Sequence, residues 1–274
     1  MTPIELFVVI LGLLFGFGGA AFLIRFYDLR RPNFRGQRIP AVGGLAFVLC
    51  AAFIYAYEWL SQGLWVGSAA AYFLVTVGFG LLGLNDDLYG DRSTGGFKGH
   101  FKALRRGKLT TGAAKALGGG VISLVAGGLI AYPIGWQIVL AALLIALTAN
   151  ALNLLDLRPG RCLFGFFLGA ASVISTITAL HALPVGFLLY VAVGVALILY
   201  PFDATGRLML GDVGANTFGA VLGVAMALVF SPFCQIIVVA LLLFFHLWSE
   251  THSVSKTIEK NTVLRGLDRK IGVR

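Results

Sequence analysis

Apolar stretches of bilayer length recur from one end of this chain to the other, and that recurrence is the strongest limit on its fold. Nine are read, at approximately Ile4–Ile24, Ala41–Tyr57, Trp65–Leu84, Ala113–Ile130, Trp136–Leu155, Cys162–Leu180, Pro184–Tyr200, Ala215–Phe230 and Phe233–Trp248. A helix needs roughly 20 mainly apolar residues to cross the hydrocarbon layer, where backbone polar groups must be satisfied internally. Charged residues make up 12% of the 274, against roughly 25% in a soluble domain. The expected fold is therefore all-α: a polytopic membrane protein of about nine helices, forming a single transmembrane domain over residues 1–274. The runs are rich in Gly and Ala, which suits close helix packing in lipid. The start, Met1-Thr2-Pro3-Ile4-Glu5, has no basic n-region, and arginines rather than a cleavage site follow the first run. That run is expected to remain as a membrane helix.

The connections differ sharply in charge. All 21 Lys and Arg lie in the first, third, fifth and seventh connections, in the tail, or (Lys115) about one turn inside the fourth run. The remaining connections carry none and are flanked by Tyr57, Trp59, Trp65, Tyr132 and Trp136, an aromatic belt at one interface. Basic residues mark the cytoplasmic face. The expected topology has the N-terminus outside, the C-terminus inside and cytoplasmic segments at about 25–40, 85–112, 156–161, 201–214 and 249–274. The net charge of +9 follows from this bias, so no nucleic-acid partner is expected. Cys50, Cys162 and Cys234 suit neither a zinc site nor a disulfide framework and read as small packing residues.

Asp86 and Asp87 are adjacent carboxylates at the mouth of the third run, an expensive placement for packing alone. Asp156 and Asp212 stand at comparable junctions on the same expected face. Carboxylates among many cations suggest a divalent metal and a phosphorylated ligand, since Mg2+ takes one or two carboxylates and completes its shell with water and phosphate oxygens. Asn150-x-x-Asn153-x-x-Asp156 places two amides and a carboxylate along one side of a helix, although an Asn pair also serves as interhelical glue. Gly211-Asp212-Val213-Gly214 opens the eighth run. Its Asp could be only a cap, while its glycines permit close approach of a diphosphate. Lys115 either snorkels to the interface or reaches toward the carboxylates. Gly107-Lys108-Leu109 lacks the pattern of a P-loop. His100 and His252 fall on the same face, within reach of a phosphate.

Taken in order, Pro40 with Gly43-Gly44, Asp86-Asp87, Lys115, Asn150-x-x-Asn153-x-x-Asp156 and Gly211-Asp212-x-Gly214 resemble the polyprenyl-phosphate N-acetylhexosamine-1-phosphate transferases. That family includes the phospho-N-acetylmuramoyl-pentapeptide transferases and the GlcNAc-1-phosphate transferases of wall teichoic acid and O-antigen synthesis. The resemblance implies transfer of a GlcNAc- or MurNAc-type sugar-1-phosphate from a UDP-sugar to undecaprenyl phosphate, releasing UMP, at the cytoplasmic face of a bacterial plasma membrane. It implies Asp86, Asp87 and Asp156 as catalytic carboxylates, and Asp212 with Asn153 as holders of Mg2+, with Mn2+ as an alternative. Lys115, Asn150, Arg38, His252 and Gly211 would contact substrate. Membrane lipid is a further implied partner, and a homodimer is compatible.

The chain also departs from the family. Gly90 stands where a third carboxylate is usual, and Leu157 follows Asp156 where the family has a glycine. Met209 replaces the usual aromatic before Gly-Asp, and His252 is what remains of a histidine cluster. No tenth run follows the tail. Two other readings stay open: an inactive relative acting as a scaffold or lipid-phosphate binder, and a transporter of anionic or lipid-linked substrates. A transport path would need ionisable groups nearer the membrane midplane.

Overall fold

The core is organised around a single buried helix, Gly211–Val229, whose most apolar window is 83% buried. The computed structural model describes residues 3–61, 67–90, 105, 110–131, 133–179 and 183–273. In chain order the elements are α1 (Pro3–Phe26), β1 (Arg30–Pro32), β2 (Arg38–Pro40), α2 (Leu45–Ser61), α3 (Gly67–Tyr89), α4 (Thr111–Ala131), α5 (Gly135–Leu155), α6 (Arg161–Ala179), α7 (Leu183–Ala204), α8 (Gly211–Val229), α9 (Pro232–Ser249), α10 (Val254–Lys260) and α11 (Thr262–Ile271). Among the described residues, eight helices are long and apolar enough to cross a membrane, and α2 is a shorter apolar helix of 17 residues. Large apolar side chains such as Leu14 (66% exposed), Leu81 (63%) and Phe244 (70%) point outward from these helices. Apolar surface on that scale belongs in lipid, and the chain is an all-α, multi-pass membrane protein.

Helix α8 packs mainly against α3 and α5. Gly219 rests on Ala149 and the carbonyl of Thr148, and Gly223 rests on Ile145, so two backbones approach closely without side chains between them. Phe218 of α8 stacks on Phe47 of α2 with centroids 3.9 Å apart, and it meets Phe166 of α6 at 5.0 Å. Helix α1 joins this core through α2. It buries Val8, Gly12, Gly16, Ala20 and Ile24, every fourth residue, against α2. Helix α9 is the most peripheral span, with 11% of its window buried. It is started by Ser231, whose hydroxyl accepts from Cys234 N, and by Pro232 in its first turn. Cys50 and Cys162 are buried and Cys234 is exposed; all three are free thiols.

One expectation requires correction, and two of the connecting segments carry structure of their own. The first connection contains a hairpin in which Arg30–Pro32 pairs antiparallel with Arg38–Pro40. Its turn is made by Asn33, whose Oδ1 accepts from Arg35 N and Gln37 N. The second helix begins at Leu45 rather than near Ala41. Gly43 and Gly44 form the turn that leads into it, and their N–H groups donate to Met209 O (2.8 Å) and Leu210 O (2.9 Å). The tail folds into α10 and α11.

Elsewhere, helices outrun their apolar stretches at the polar ends. Helix α3 continues to Tyr89, α7 passes Pro201 to reach Ala204, and α8 starts at Gly211. Asp86, Asp87, Asp203 and Asp212 are thereby carried on rigid helical turns rather than on loops.

Candidate functional site

The polar ends of α3, α4, α5 and α8 meet at one end of the bundle, and the meeting point is Lys115. Thr110 starts α4 by accepting from Ala113 N (3.1 Å), which sets Lys115 one turn inside. The Lys115 ammonium is paired with Asp212 Oδ2 and lies 3.5 Å from Asp86 Oδ2. Its side chain is 16% exposed, with Asp86 at 22% and Asp212 at 30%, so the group opens to solvent from one side. Asn153 completes it. With its amide turned to satisfy both neighbours, Asn153 donates to Asp212 Oδ1 (3.1 Å) and accepts from Lys115 Nζ (3.3 Å).

Asp87 is turned away from Lys115 toward α8. Its Oδ1 accepts from Asp212 N and its Oδ2 from Val213 N, both at 2.9 Å. A carboxylate supplied by one helix therefore caps the N-terminus of another, satisfying two donors that α8 itself leaves orphaned. The cap requires glycine at 211. Gly211 adopts φ +71°, and a Cβ there would come within 2.6 Å of both Ala41 O and Asp87 Oδ2. Gly44 has a comparable constraint, because its missing Cβ leaves room for Gly214 Cα. The Gly43-Gly44 and Gly211-x-x-Gly214 motifs are thus two sides of one close backbone contact.

Asp156 closes α5, and its backbone N–H donates to Leu152 O and Asn153 O. Burial, and then the negative charges of Asp203, Asp212 and Asp87, push its carboxyl pKa well above the usual carboxylate range. Asp203 was not anticipated from the sequence. It is 3% exposed and accepts from Gly160 N (2.9 Å), tying α7 to the turn after Asp156. Asn216 was missed as well. It is 2% exposed, and its Nδ2 donates to Asp212 O (2.6 Å) from one turn further along α8. The spacing from Asp212 to Asn216, one helical turn, was the available signal.

Other expected contacts lie apart from this group. Arg38 pairs with Asp28 (2.8 Å), with both side chains well exposed on the hairpin. His252 stacks on Trp248 and shares a hydrogen bond with Thr251. Asn150 is exposed and takes no part in the hydrogen bonds around Lys115, whereas Asn153 does. His100, Asp91 and most of the basic residues between Arg92 and Lys108 lie outside the described residues.

Two carboxylates and an amide carbonyl, drawn from three helices, converge on one positive charge. This donor set could hold a small divalent ion that completes its shell with water and phosphate oxygens. Among the described residues, no group of three or more His, Cys, Asp and Glu side chains gathers as an all-protein metal cage would require. In comparisons with known proteins, no family model and no curated sequence matches the chain.

Proposed function

We propose that the chain transfers a sugar-1-phosphate from a UDP-activated amino sugar to a polyprenyl phosphate in the plasma membrane of a bacterium. The observation that carries this reading is Lys115 held between Asp86 and Asp212 with Asn153 beside it. These residues come from α3, α4, α5 and α8, and all belong to motifs that the family resemblance singles out. A lysine in that position meets a diphosphate as a cation, while the carboxylates beside it meet a metal. The basic segments predict that the site is cytoplasmic and the N-terminus outside, with α2 counted as the ninth span.

In the proposed reaction an oxygen of the acceptor phosphate forms a bond to the β-phosphorus of the UDP-sugar. The bond from that phosphorus to the bridging oxygen breaks, and UMP leaves with the electron pair. Such a transfer needs in-line positioning and neutralised charge more than covalent participation. Lys115 neutralises donor phosphate charge. Asp86, the member of the pair open to solvent, orients the acceptor. Asp87 positions Asp212 by fixing the first turn of α8. Mg2+, held by Asp212 and Asn153 with Asp86 adjacent, would supply further charge stabilisation on the diphosphate. Asp156, whose carboxyl pKa is raised by burial and by the neighbouring carboxylates, lines the same end of the bundle.

Purified protein given sugar-labelled UDP-GlcNAc or UDP-MurNAc-pentapeptide, undecaprenyl phosphate and Mg2+ tests the reading. Labelled lipid is expected from the wild type and not from Asp86→Asn, Asp212→Asn or chelator-treated protein. Absence of lipid product with every common UDP-sugar would sink it and favour the scaffold.

A further inference from the structure

The last helix of the chain carries a surface that the bundle does not cover. Asn261 starts α11, accepting from Val263 N and Leu264 N at 3.0 Å each. With 3.6 residues per turn, Val263, Leu264, Leu267 and Ile271 fall within an arc of about 100°. Val263 is 72% exposed, Leu267 51% and Leu264 41%. Arg265 and Arg269 occupy the opposite side, Lys270 borders the apolar arc beside Val263, and all three are exposed. Asp268, at the edge of the apolar arc, is 7% exposed and makes a two-bond pair with Arg161 (2.6 and 2.8 Å).

That pair fixes the height of the helix. Arg161 is the first residue of the spanning helix α6. Tyr200, near the end of the spanning helix α7, donates to Ile271 O (2.8 Å), and Val273 N donates to Ala204 O (2.8 Å). Helix α11 is therefore pinned where two membrane helices reach the surface. Leu157 (61% exposed) and Phe202 (47%), close in the chain to these helix ends, are also exposed. A helix with one apolar face, one basic face and its third side bolted to membrane spans suits the boundary between headgroups and acyl chains.

We propose that α11 lies in that boundary, with Val263, Leu264 and Leu267 in lipid and Arg265 and Arg269 on anionic headgroups. Through Arg161–Asp268 and Gly160–Asp203, the lipid-seated helix clamps the turn that follows Asp156.

Site-directed spin labelling of the full chain tests this, in a Cys234→Ser background because Cys50 and Cys162 are buried. Labels at Leu267→Cys, Val263→Cys and Arg269→Cys are compared in phosphatidylcholine bilayers with and without phosphatidylglycerol. Accessibility is read with oxygen, which partitions into lipid, and with a neutral nickel chelate, which stays in water. The labels at 263 and 267 are expected to see oxygen and not nickel, and the label at 269 the reverse. Phosphatidylglycerol should raise the embedded fraction, and each of Arg265→Glu and Arg269→Glu should lower it about fivefold or more. Nickel accessibility at 267 equal to that at 269 would overturn the proposal. Shielding of 267 from both reagents would assign the face to a protein partner and would also overturn it. Embedding that ignores phosphatidylglycerol would overturn the role given to the basic face.

Discussion

Replacing Asp87 with asparagine separates the structural use of a carboxylate from a chemical one. The native side chain accepts two backbone hydrogen bonds, from Asp212 N and Val213 N, at 2.9 Å each. Asparagine keeps one acceptor and sets an NH2 group against the other N–H, so one bond is lost and two donors face each other. A hydrogen bond to a charged group contributes about 1.5–3 kcal/mol. The carboxylate's attraction to the positive end of α8 adds about 0.3–1 kcal/mol. The expected loss is about 2–4 kcal/mol, which at about 2–4 °C per kcal/mol for a chain of this size lowers the melting temperature by about 5–15 °C. Asp86→Asn is the control, because its carboxylate lies 3.5 Å from Lys115 and supports no helix end. It should cost less than about 1 kcal/mol while abolishing turnover. Melting curves of detergent-solubilised protein, followed by tryptophan fluorescence, read the difference. Equal destabilisation of the two variants would refute the assignment of Asp87 to the cap.

Three other outcomes follow from the geometry. Gly211→Ala places a Cβ within 2.6 Å of Ala41 O and Asp87 Oδ2 at a positive φ, and should lower folded yield sharply. Gly120→Ala, which meets nothing within 4 Å, should be neutral or stabilising by about 0.5–1 kcal/mol; melting temperatures of the two variants check this. Asp268→Asn leaves the buried Arg161 without its charge partner and should cost about 3–5 kcal/mol, seen as faster tryptic cleavage at Arg265. Asp28→Asn, in an exposed pair, should leave that cleavage unchanged. Asp156 holds its proton more tightly folded than unfolded, where its pKa is near 3.8. Stability is therefore lost as pH rises from that value through the raised one. Asp156→Asn should melt higher than wild type in chelator at pH 8, with the gain shrinking as pH falls toward 4. A gain that is constant with pH would contradict it.

The spans and the principal polar cluster were legible because each has a local signature. Hydropathy located the apolar helices to within a few residues, and Lys115, standing inside an apolar run, already marked itself as costly. What was not legible depended on partners distant in sequence. The capping role of Asp87 involves backbone groups 125 and 126 residues away, and Arg161 finds Asp268 across 107 residues. Asp203 was hidden by Pro201, which reads as a helix stop although α7 continues through it and Thr205 Oγ1 bonds to the Pro201 carbonyl. The hairpin at 30–40 has three-residue strands, half arginine and mostly exposed, with no alternation to reveal it. Arg38, Asn150 and His252 carry the right chemistry for a phosphate site, yet none of them hydrogen-bonds within the Lys115 group.

The reaction itself is tested most directly by following the β-phosphorus. UDP-GlcNAc or UDP-MurNAc-pentapeptide labelled with 32P at that atom, incubated with the protein, undecaprenyl phosphate and Mg2+, should pass its label to the lipid and release unlabelled UMP in equal amount. Label retained in UDP or released as inorganic phosphate, with none in lipid, would contradict sugar-1-phosphate transfer at the Lys115 site.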